Sequence, residues 1–371
     1  MTKFAQDFDL ESVDIIADNN QSIKIKYLVV ELNFYEDIFS FACSGNVVIS
    51  DALGIIENLK LDGSEIIQIS YGKTTDTSKN IRKFRLYKVG NRIPAGNKTS
   101  EHYTLYFTSE ELFLSEQLKI TKSFKGLSIS EMIGKILVDE KNGLRVNSDR
   151  IKAIESSYGL YDMVVPKMKP FEAISWLSIY ARPDTGKPGS DMLFFENKNG
   201  YHYRSLQSMF KDNVYATYKY EAKNIDDKTQ SFQEKTITVL DYEISKPFDA
   251  LNEINSGTLS NRLISIDPLT RTFKKTDFDY EKFKSQAKTL NNNGIQDSLQ
   301  NRLGKKENES YEGVLKVVIG NANQKQVPFI KQKESGVAQD IFVETYVPNR
   351  TAQISLANYT LIKATIPGDP G

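Results

Sequence analysis

Hydrophobic and polar positions alternate through much of the first third of the chain, interrupted at recognisable turns. A period of two marks strands with one buried face. Val13–Ile16 and Ser22–Phe34 read as early strands. Within IKIKYLVVELNF, Ile23, Ile25 and Tyr27 fall on one face and Lys24 and Lys26 on the other. A half-exposed strand with solvated lysines is one reading of that split; lysines on the inner wall of a tube are another. Val47, Val48 and Ile49 form a β-branched run suited to a pleated surface. Asp51 can cap a short helix, with Leu53, Ile56 and Leu59 following at helical spacing. Asp62-Gly63 marks a turn in which Gly63 is expected at positive φ. Glu65–Tyr71 is strand again, with Ile67, Ile69 and Tyr71 on one face. Arg82–Val89 and His102–Thr108 add two strands across a loop through Pro94-Ala95-Gly96-Asn97. Roughly six short strands with one inserted helix predict a small antiparallel barrel or sandwich.

From Glu110 the period changes. Leu127–Asp139 reads as a helix, with Ser128 or Ser130 as N-cap and Ile129, Met132, Ile133, Ile136 and Leu137 in one stripe. Lys141-Asn142-Gly143 ends it. Pro170 opens a second helix, where its missing N–H costs nothing. Phe171, Ile174 and Leu177 would face a core, with Trp176 and Ile179 beside them. Met192–Glu196 and Tyr201–Arg204 predict a hairpin turned by Asn199-Gly200, completing an α+β module.

Further strands are expected at Val214–Tyr220, Lys235–Ile244, Arg262–Ile266, Arg271–Thr276 and Val314–Ile319. Asp267-Pro268 would turn the third into the fourth. Residues 286–309 read as a polar loop. A helix from Pro348 through Ala357 and a last strand, Tyr359–Ile366, precede Pro367-Gly368-Asp369-Pro370-Gly371. This closing order of helix, strand and turn is compared with helix, turn and strand around Asp62-Gly63. The second half therefore reads as a diverged copy of the first barrel, split by an insertion. Completing it would require on the order of 50 residues beyond Gly371. The 371 residues exceed one typical core. They divide into a first tube barrel (1–112), an α+β module (113–205), a second barrel (206–245 with 346–371) and an inserted module (246–345).

Composition narrows the function. Forty-eight basic and forty-eight acidic residues cancel to a net charge of zero, whereas proteins that grip nucleic acid by its phosphates usually carry a basic surplus. Cys43 is the single cysteine, so an intramolecular disulfide is impossible and a small buried hydrophobe is expected. No apolar run approaches the ~20 residues that span a bilayer, and the first residues lack a signal-peptide pattern. A soluble protein made in a reducing cytoplasm is expected. Nineteen Tyr and twenty Phe suit β-rich domains with large protein contacts.

Candidate chemistry is sparse. His102 and His202 each stand in an aromatic strand context and read as structural. One Cys and two isolated His make no zinc motif. The nucleophile elbow, the P-loop and the dinucleotide fingerprint are absent, and Asp184-Thr185-Gly186-Lys187 lacks the glycine spacing of a phosphate loop. The pairs Asp139-Glu140 and Asp226-Asp227 lie in polar segments and read as solvated charges rather than a glycosidase pair. No catalytic group, metal or cofactor is expected.

Phe41–Tyr71, and LDGSEIIQIS within it above all, resembles the first tube domain of the baseplate hub protein of contractile-tailed phages of the T-even type. That family is related in fold to the hub portion of type VI secretion spike proteins. The similarity in element order runs along nearly all of the chain. It implies a mainly β fold with α+β insertions: two related antiparallel β-barrel tube domains plus one or two smaller α+β modules. It further implies a homotrimeric ring in the virion baseplate, assembled in the host cytoplasm. The ring would join a threefold central spike to the sixfold tail tube and surround the DNA channel. The implied partners are further copies of the chain, the spike protein, tail tube or tube-initiator proteins and the tape measure protein, with DNA only in transit and no membrane insertion. Asp62, Gly63 and Glu65 would form a structural turn, and Lys24 and Lys26 are candidates for the lumen. The family places lysozyme activity in the partner spike. Two rivals remain at this stage. A cell-wall-degrading baseplate enzyme would need a carboxylate or His constellation, and a receptor-binding module would favour a repeat-rich sequence.

Overall fold

The computed structural model describes residues 8–17, 21–73, 79–94, 100–184, 191–220, 238–246, 251, 255–258, 260–267, 271–279, 315–319, 326–327, 330–332, 350, 354 and 361–366. Alternation in the first part produces seven strands: β1 (Phe8–Ile16), β2 (Ser22–Lys24), β3 (Val29–Tyr35), β4 (Ser44–Asp51), β5 (Ile66–Lys73), β6 (Asn80–Pro94) and β7 (Glu101–Thr108). They form one antiparallel sheet in the order β2-β1-β5-β6-β7-β4-β3. β2 and β3 are opposite edges of this sheet, yet only Ile25 and a 3-10 turn over Lys26–Leu28 separate them. The five peptide steps from Lys24 to Val29 reach at most about 17 Å. The sheet must therefore curl until its edges approach, as a half-barrel.

Ile25 fills the seam. Its amide donates to the Val13 carbonyl at 2.8 Å, and its side chain is fully buried. The 3-10 turn replaces the unbroken strand expected over Ser22–Phe34. It throws Tyr27 out to 93% exposure instead of placing it beside Ile23 and Ile25. The concave core is made by alternate residues, among them Val13, Val47, Ile49, Ile67, Ile69, Phe84, Leu105 and Phe107.

Between β4 and β5 runs α1 (Ile55–Leu59). Asp51 organises its approach: Oδ1 accepts from the Leu53 and Gly54 amides at 2.7 and 3.0 Å, and Oδ2 from the Ile55 amide at 2.7 Å. Tyr103 also donates its hydroxyl to Oδ2 at 2.9 Å. The side chain that α1 buries is Ile55, while Leu53 is exposed, because the chain enters the helix one turn later than the spacing suggests.

The second body contains α2 (Glu110–Gln117), β8 (Ile120–Leu127), α3 (Ile129–Val138), β9 (Ile151–Ile154), β10 (Tyr161–Met168), α4 (Pro170–Ile179), β11 (Met192–Asn197), β12 (Gly200–Ser205) and α5 (Leu206–Met209). α3 starts at a capping box. The Ser128 hydroxyl accepts from the Glu131 amide at 3.3 Å, and the Glu131 carboxylate accepts from the Ser128 amide at 2.8 Å. Its predicted stripe of Ile129, Met132, Ile133, Ile136 and Leu137 is fully buried. Each such side chain contributes about 1.5–3 kcal/mol of transfer free energy. α4 begins at Pro170 and buries Phe171, Ile174 and Leu177 in the same core. In the hairpin Asn197 pairs with Gly200. The two-residue turn is therefore Lys198-Asn199, one residue earlier than expected, and Gly200 starts β12. β9 pairs with β12 in parallel.

Beyond it come β13 (Lys219–Tyr220), β14 (Thr238–Val239), β15 (Asp241–Lys246), β16 (Ser260–Asp267), β17 (Thr272–Asp279), β18 (Leu315–Ile319), β19 (Gln326–Val327), β20 (Ile330–Gln332) and β21 (Leu361–Thr365). β16 pairs antiparallel with β17 and parallel with β18, and β20 extends the module sheet at β10. β13 and β14 are a parallel pair, while β15 and β21 are an antiparallel pair. Among the described residues, then, Val214–Tyr220, Lys235–Ile244 and Tyr359–Ile366, the strands of the expected second barrel, do not form one antiparallel sheet. Val214–Tyr220 contracts to its last two residues, with Val214 and Tyr215 at 80% and 85% exposure. Alternation alone cannot hold a strand without a neighbour to bond. The expected loop 286–309, the helix 348–357 apart from residues 350 and 354, Asp226-Asp227 and the closing Pro367–Gly371 lie outside the described residues.

Candidate functional site

β4 and β7 pair in the register Ser44 with Thr108. Cys43, just before β4, and Ser109, just after β7, therefore meet at one end of the half-barrel. The Cys43 carbonyl accepts from the Thr108 hydroxyl at 3.0 Å and the Ser109 amide at 3.1 Å. Against this end sits Glu196 of β11, which is 3% exposed. Its Oε2 accepts from the Cys43 amide at 2.8 Å and from the Ser109 hydroxyl, and its backbone carbonyl accepts from Cys43 Sγ at 3.4 Å. Its Oε1 accepts from Arg150 Nη2 at 2.5 Å. The other guanidinium nitrogen, Nη1, donates to Glu111 of α2. Glu111 Oε2 accepts in turn from the Tyr201 hydroxyl at 3.1 Å, and the Arg150 guanidinium lies 5.2 Å from the Tyr201 ring.

One cation thus serves two buried carboxylates. Glu196 also grips the half-barrel backbone directly. Burial pushes the Glu111 carboxyl up, opposed by Arg150. Burial, reinforced by Glu196, raises the Cys43 thiol to about 12. A thiol so protonated is a poor nucleophile. Each carboxylate oxygen in the cluster has a donor, and the cluster ties the module to the half-barrel. Arg85 adds a second tie at the same end, donating to the Ser64 carbonyl and, at 2.8 Å, to Glu110 at the start of α2.

That second tie reaches the turn singled out in the sequence. Gly63 has φ +98°. Glu65 is buried, with Oε1 accepting from the Asp62 amide at 2.9 Å and Oε2 from the Gly63 amide at 3.0 Å. Asp62 accepts from the Ser64 amide at 2.9 Å, and the Ser64 hydroxyl, with this amide second, holds its carboxyl below the ordinary carboxylate range. A β-branched residue at such a φ is strained, so Gly63→Val is expected to cost roughly 1–3 kcal/mol. Thermal unfolding checks this; an unshifted midpoint would mean the turn tolerates a side chain.

Lys24 and Lys26 are not brought together with the junction. Lys24 is exposed and stands opposite Asp14 on the polar face of the sheet. Lys26 is half-buried in the 3-10 turn, its ammonium 5.9 Å from the Tyr27 ring. His202 lies within 3.1 Å of the Asn197 side-chain oxygen, stacks on Phe195, and is pushed down by burial. Asp139, expected as a solvated charge, instead pairs with Lys122 at 2.5 Å and accepts from the Lys141 and Asn142 amides at 2.9 Å each. Among the described residues no group of three or more His, Cys, Asp or Glu side chains is placed to hold a metal. No helix there is long and apolar enough to cross a membrane.

Sequence reading missed Glu111, Arg150, Glu196 and Tyr201 as a group. One signal was present: in MLFFEN, Glu196 follows Phe194 on the same strand face, so a charge sits where a core residue belongs.

No protein-family model matches the chain. A curated relative, the probable baseplate hub protein gp334 of Vibrio phage KVP40, is 23% identical over 266 residues, covering 71% of this chain. The match spans 61% of that protein, less than two thirds of its length. The crystal structure of the 43 kDa tail protein of prophage MuSo2 from Shewanella oneidensis superposes with a TM-score of 0.50 at 6% identity, over 96% of this chain and 82% of that one. A chain of the half-lidded Francisella PdpA-VgrG complex gives a TM-score of 0.40 at 10% identity, over 89% of this chain and 47% of its own length. By sequence, then, this chain is similar to a probable phage baseplate hub protein, and its fold is that of a phage tail protein.

Proposed function

We propose that the chain is a structural hub of a phage tail baseplate, of which three copies form a ring around the channel for DNA. The ring joins a threefold central spike to the sixfold tail tube, and its further contacts are tube or tube-initiator proteins and the tape measure protein. Similarity to a baseplate hub protein over 71% of the chain is the observation that carries this reading. A tail location follows from it, with assembly in the host cytoplasm.

Two tube-like walls per subunit would supply six near-equivalent positions from three chains. The half-barrel supplies the first. The second would be built on the β15–β21 ladder, where Tyr242, Ile244, Ile362 and Ala364 share an apolar face and Asp241, Glu243, Lys363 and Thr365 a polar one. The polar face of the half-barrel would line the channel. There Lys24 and Lys83 alternate with Asp14 and Glu31, a mixed-sign wall that lets a polyanion pass without holding it. Lys26, at the seam, contributes less. The role is mechanical and not catalytic, since the buried carboxylates Glu111 and Glu196 are spent on the junction. Light scattering of the chain alone and with a spike protein should give a particle of three subunits. A monomer under both conditions would overturn the ring.

A further inference from the structure

The turn from β12 into α5 is held by two acidic residues from other parts of the module. Glu155, just after β9, accepts from the Ser205 amide at 2.7 Å and from the Ser205 hydroxyl at 2.9 Å. Asp191, just before β11, accepts from the Leu206 amide at 3.2 Å through its backbone carbonyl and from the Gln207 amide at 2.9 Å through Oδ2. The Ser205 hydroxyl accepts from the Ser208 amide at 3.1 Å. The amides of residues 205 to 208 are thus satisfied in succession, the first three by Glu155 and Asp191. This turn carries Leu206 onto Leu193 and Phe195, with Met209 and Phe210 packed against them.

One atom is left over. Asp191 is fully buried, and its Oδ1 has no hydrogen-bond partner. A charged oxygen out of water without a donor is costly, and a proton removes that cost. A second carboxylate, bound two residues away on the same turn, makes ionising both harder still. Around Asp191 stand Glu155, the buried Tyr203 phenol of β12, itself pushed up by burial, and Arg350, which donates to the Met192 carbonyl at 3.4 Å. Arg204, also on β12, is engaged by Asp212 at 2.7 and 2.9 Å. α5 brings the uncharged Gln207, and α4 brings Ser178 beside Tyr203. Burial pushes the Asp191 carboxyl up to about 6; the Gln207 amide pulls it back, Glu155 adds to the rise and Arg350 opposes it.

We propose that Asp191 is a proton-operated clamp on the turn into α5. With a proton on Oδ1 it holds the turn shut. When that proton leaves, the turn opens more readily, releasing Leu206 from the hairpin and giving the carboxylate to water. The sign follows from the raised carboxyl: the closed turn binds the proton more tightly than the open one, so closure is favoured at low pH and weakens as pH rises through about 6. The charged form makes the stronger bond to the Gln207 amide, but burial outweighs that bond. The clamp is independent of the ring reading, because every group in it belongs to one chain.

Amide hydrogen exchange of the full chain tests it, read as protection factors so that the intrinsic pH dependence of exchange drops out. Between pH 4.5 and pH 7.5 the opening constant at Gln207 and Ser208 should rise at least tenfold in wild type. It should rise less than threefold in Asp191→Asn, whose side chain carries no charge and keeps an oxygen for the Gln207 amide. Glu155→Gln should keep the rise, reduced in size. Amides of α3 should hold steady across the same range. A flat opening constant in wild type, a rise that survives in Asp191→Asn, or an equal rise across α3 would overturn the clamp. If Asp191→Asn does not fold, wild type and Glu155→Gln decide it: a rise abolished by Glu155→Gln would assign the titration to Glu155 and overturn the clamp as well.

Discussion

Arg150→Met is expected to destabilise the chain by about 3 kcal/mol, toward the low end of the cost of breaking a buried ion pair. The substitution keeps the stem length and removes the only charge that faces both Glu111 and Glu196 at hydrogen-bond distance among the described residues. Two carboxylates, one from α2 and one from β11, would then share a buried site without a cation. The Arg150 side chain is 41% exposed, so water partly screens the loss, which sets the lower end of the range. Two readouts separate a loosened junction from general unfolding. Trp176 reports the module core, and Cys43 reports the interface itself. The folded thiol, buried and held near 12, should resist alkylation at neutral pH. In Arg150→Met, labelling should accelerate at denaturant concentrations where the Trp176 signal is still native. Adding Glu111→Gln should recover part of the loss, as coupled neighbours do. An unchanged midpoint together with unchanged labelling would show that the cluster holds nothing.

Gly200→Ala should be of similar or larger effect, roughly 2–5 kcal/mol from backbone strain and overpacking together. Gly200 has φ +134°, and a Cβ built there would lie 2.1 Å from the Arg150 carbonyl oxygen and 2.9 Å from its carbonyl carbon. Backbone atoms cannot rotate away as a side-chain tip can. The strand that carries Tyr201 and the residue that carries the guanidinium would be forced apart, so the variant should also release Cys43 to alkylation. Retention of the wild-type unfolding midpoint would mean that β12 and the Arg150 backbone can separate at little cost.

The parts of the fold legible in the sequence are those whose chemistry is local. Ser128 and Glu131 lie three residues apart and satisfy each other's amides. Pro170 presets the first turn of α4. Asp51 reaches amides two to four residues on, and Gly63 accepts a φ that its own turn demands. Where local pattern was weak or misleading, the reading failed. α2 carries EELFLSEQ, polar enough to hide a helix, and its Glu111 is buried only because Arg150 arrives to meet it. β10 contains Pro166, which argues against a strand interior. The alternation at Ile23, Ile25 and Tyr27 predicted one strand, but closure of the sheet required a tight turn there.

By itself, then, the sequence determined the strand-rich first third, the two amphipathic helices of the module, the hairpin and the caps and turns between them. It also carried the resemblance to baseplate hub proteins through Phe41–Tyr71. Only the tertiary structure decided the order of strands in the half-barrel, the seam at Ile25, the pairing of the second-half strands and both buried charge clusters. The physical reason is range. Periodicity and capping act over a few residues and leave a mark in each short window. Cys43 and Glu196 stand 153 residues apart, and what makes a buried glutamate tolerable is a partner whose position no local pattern encodes.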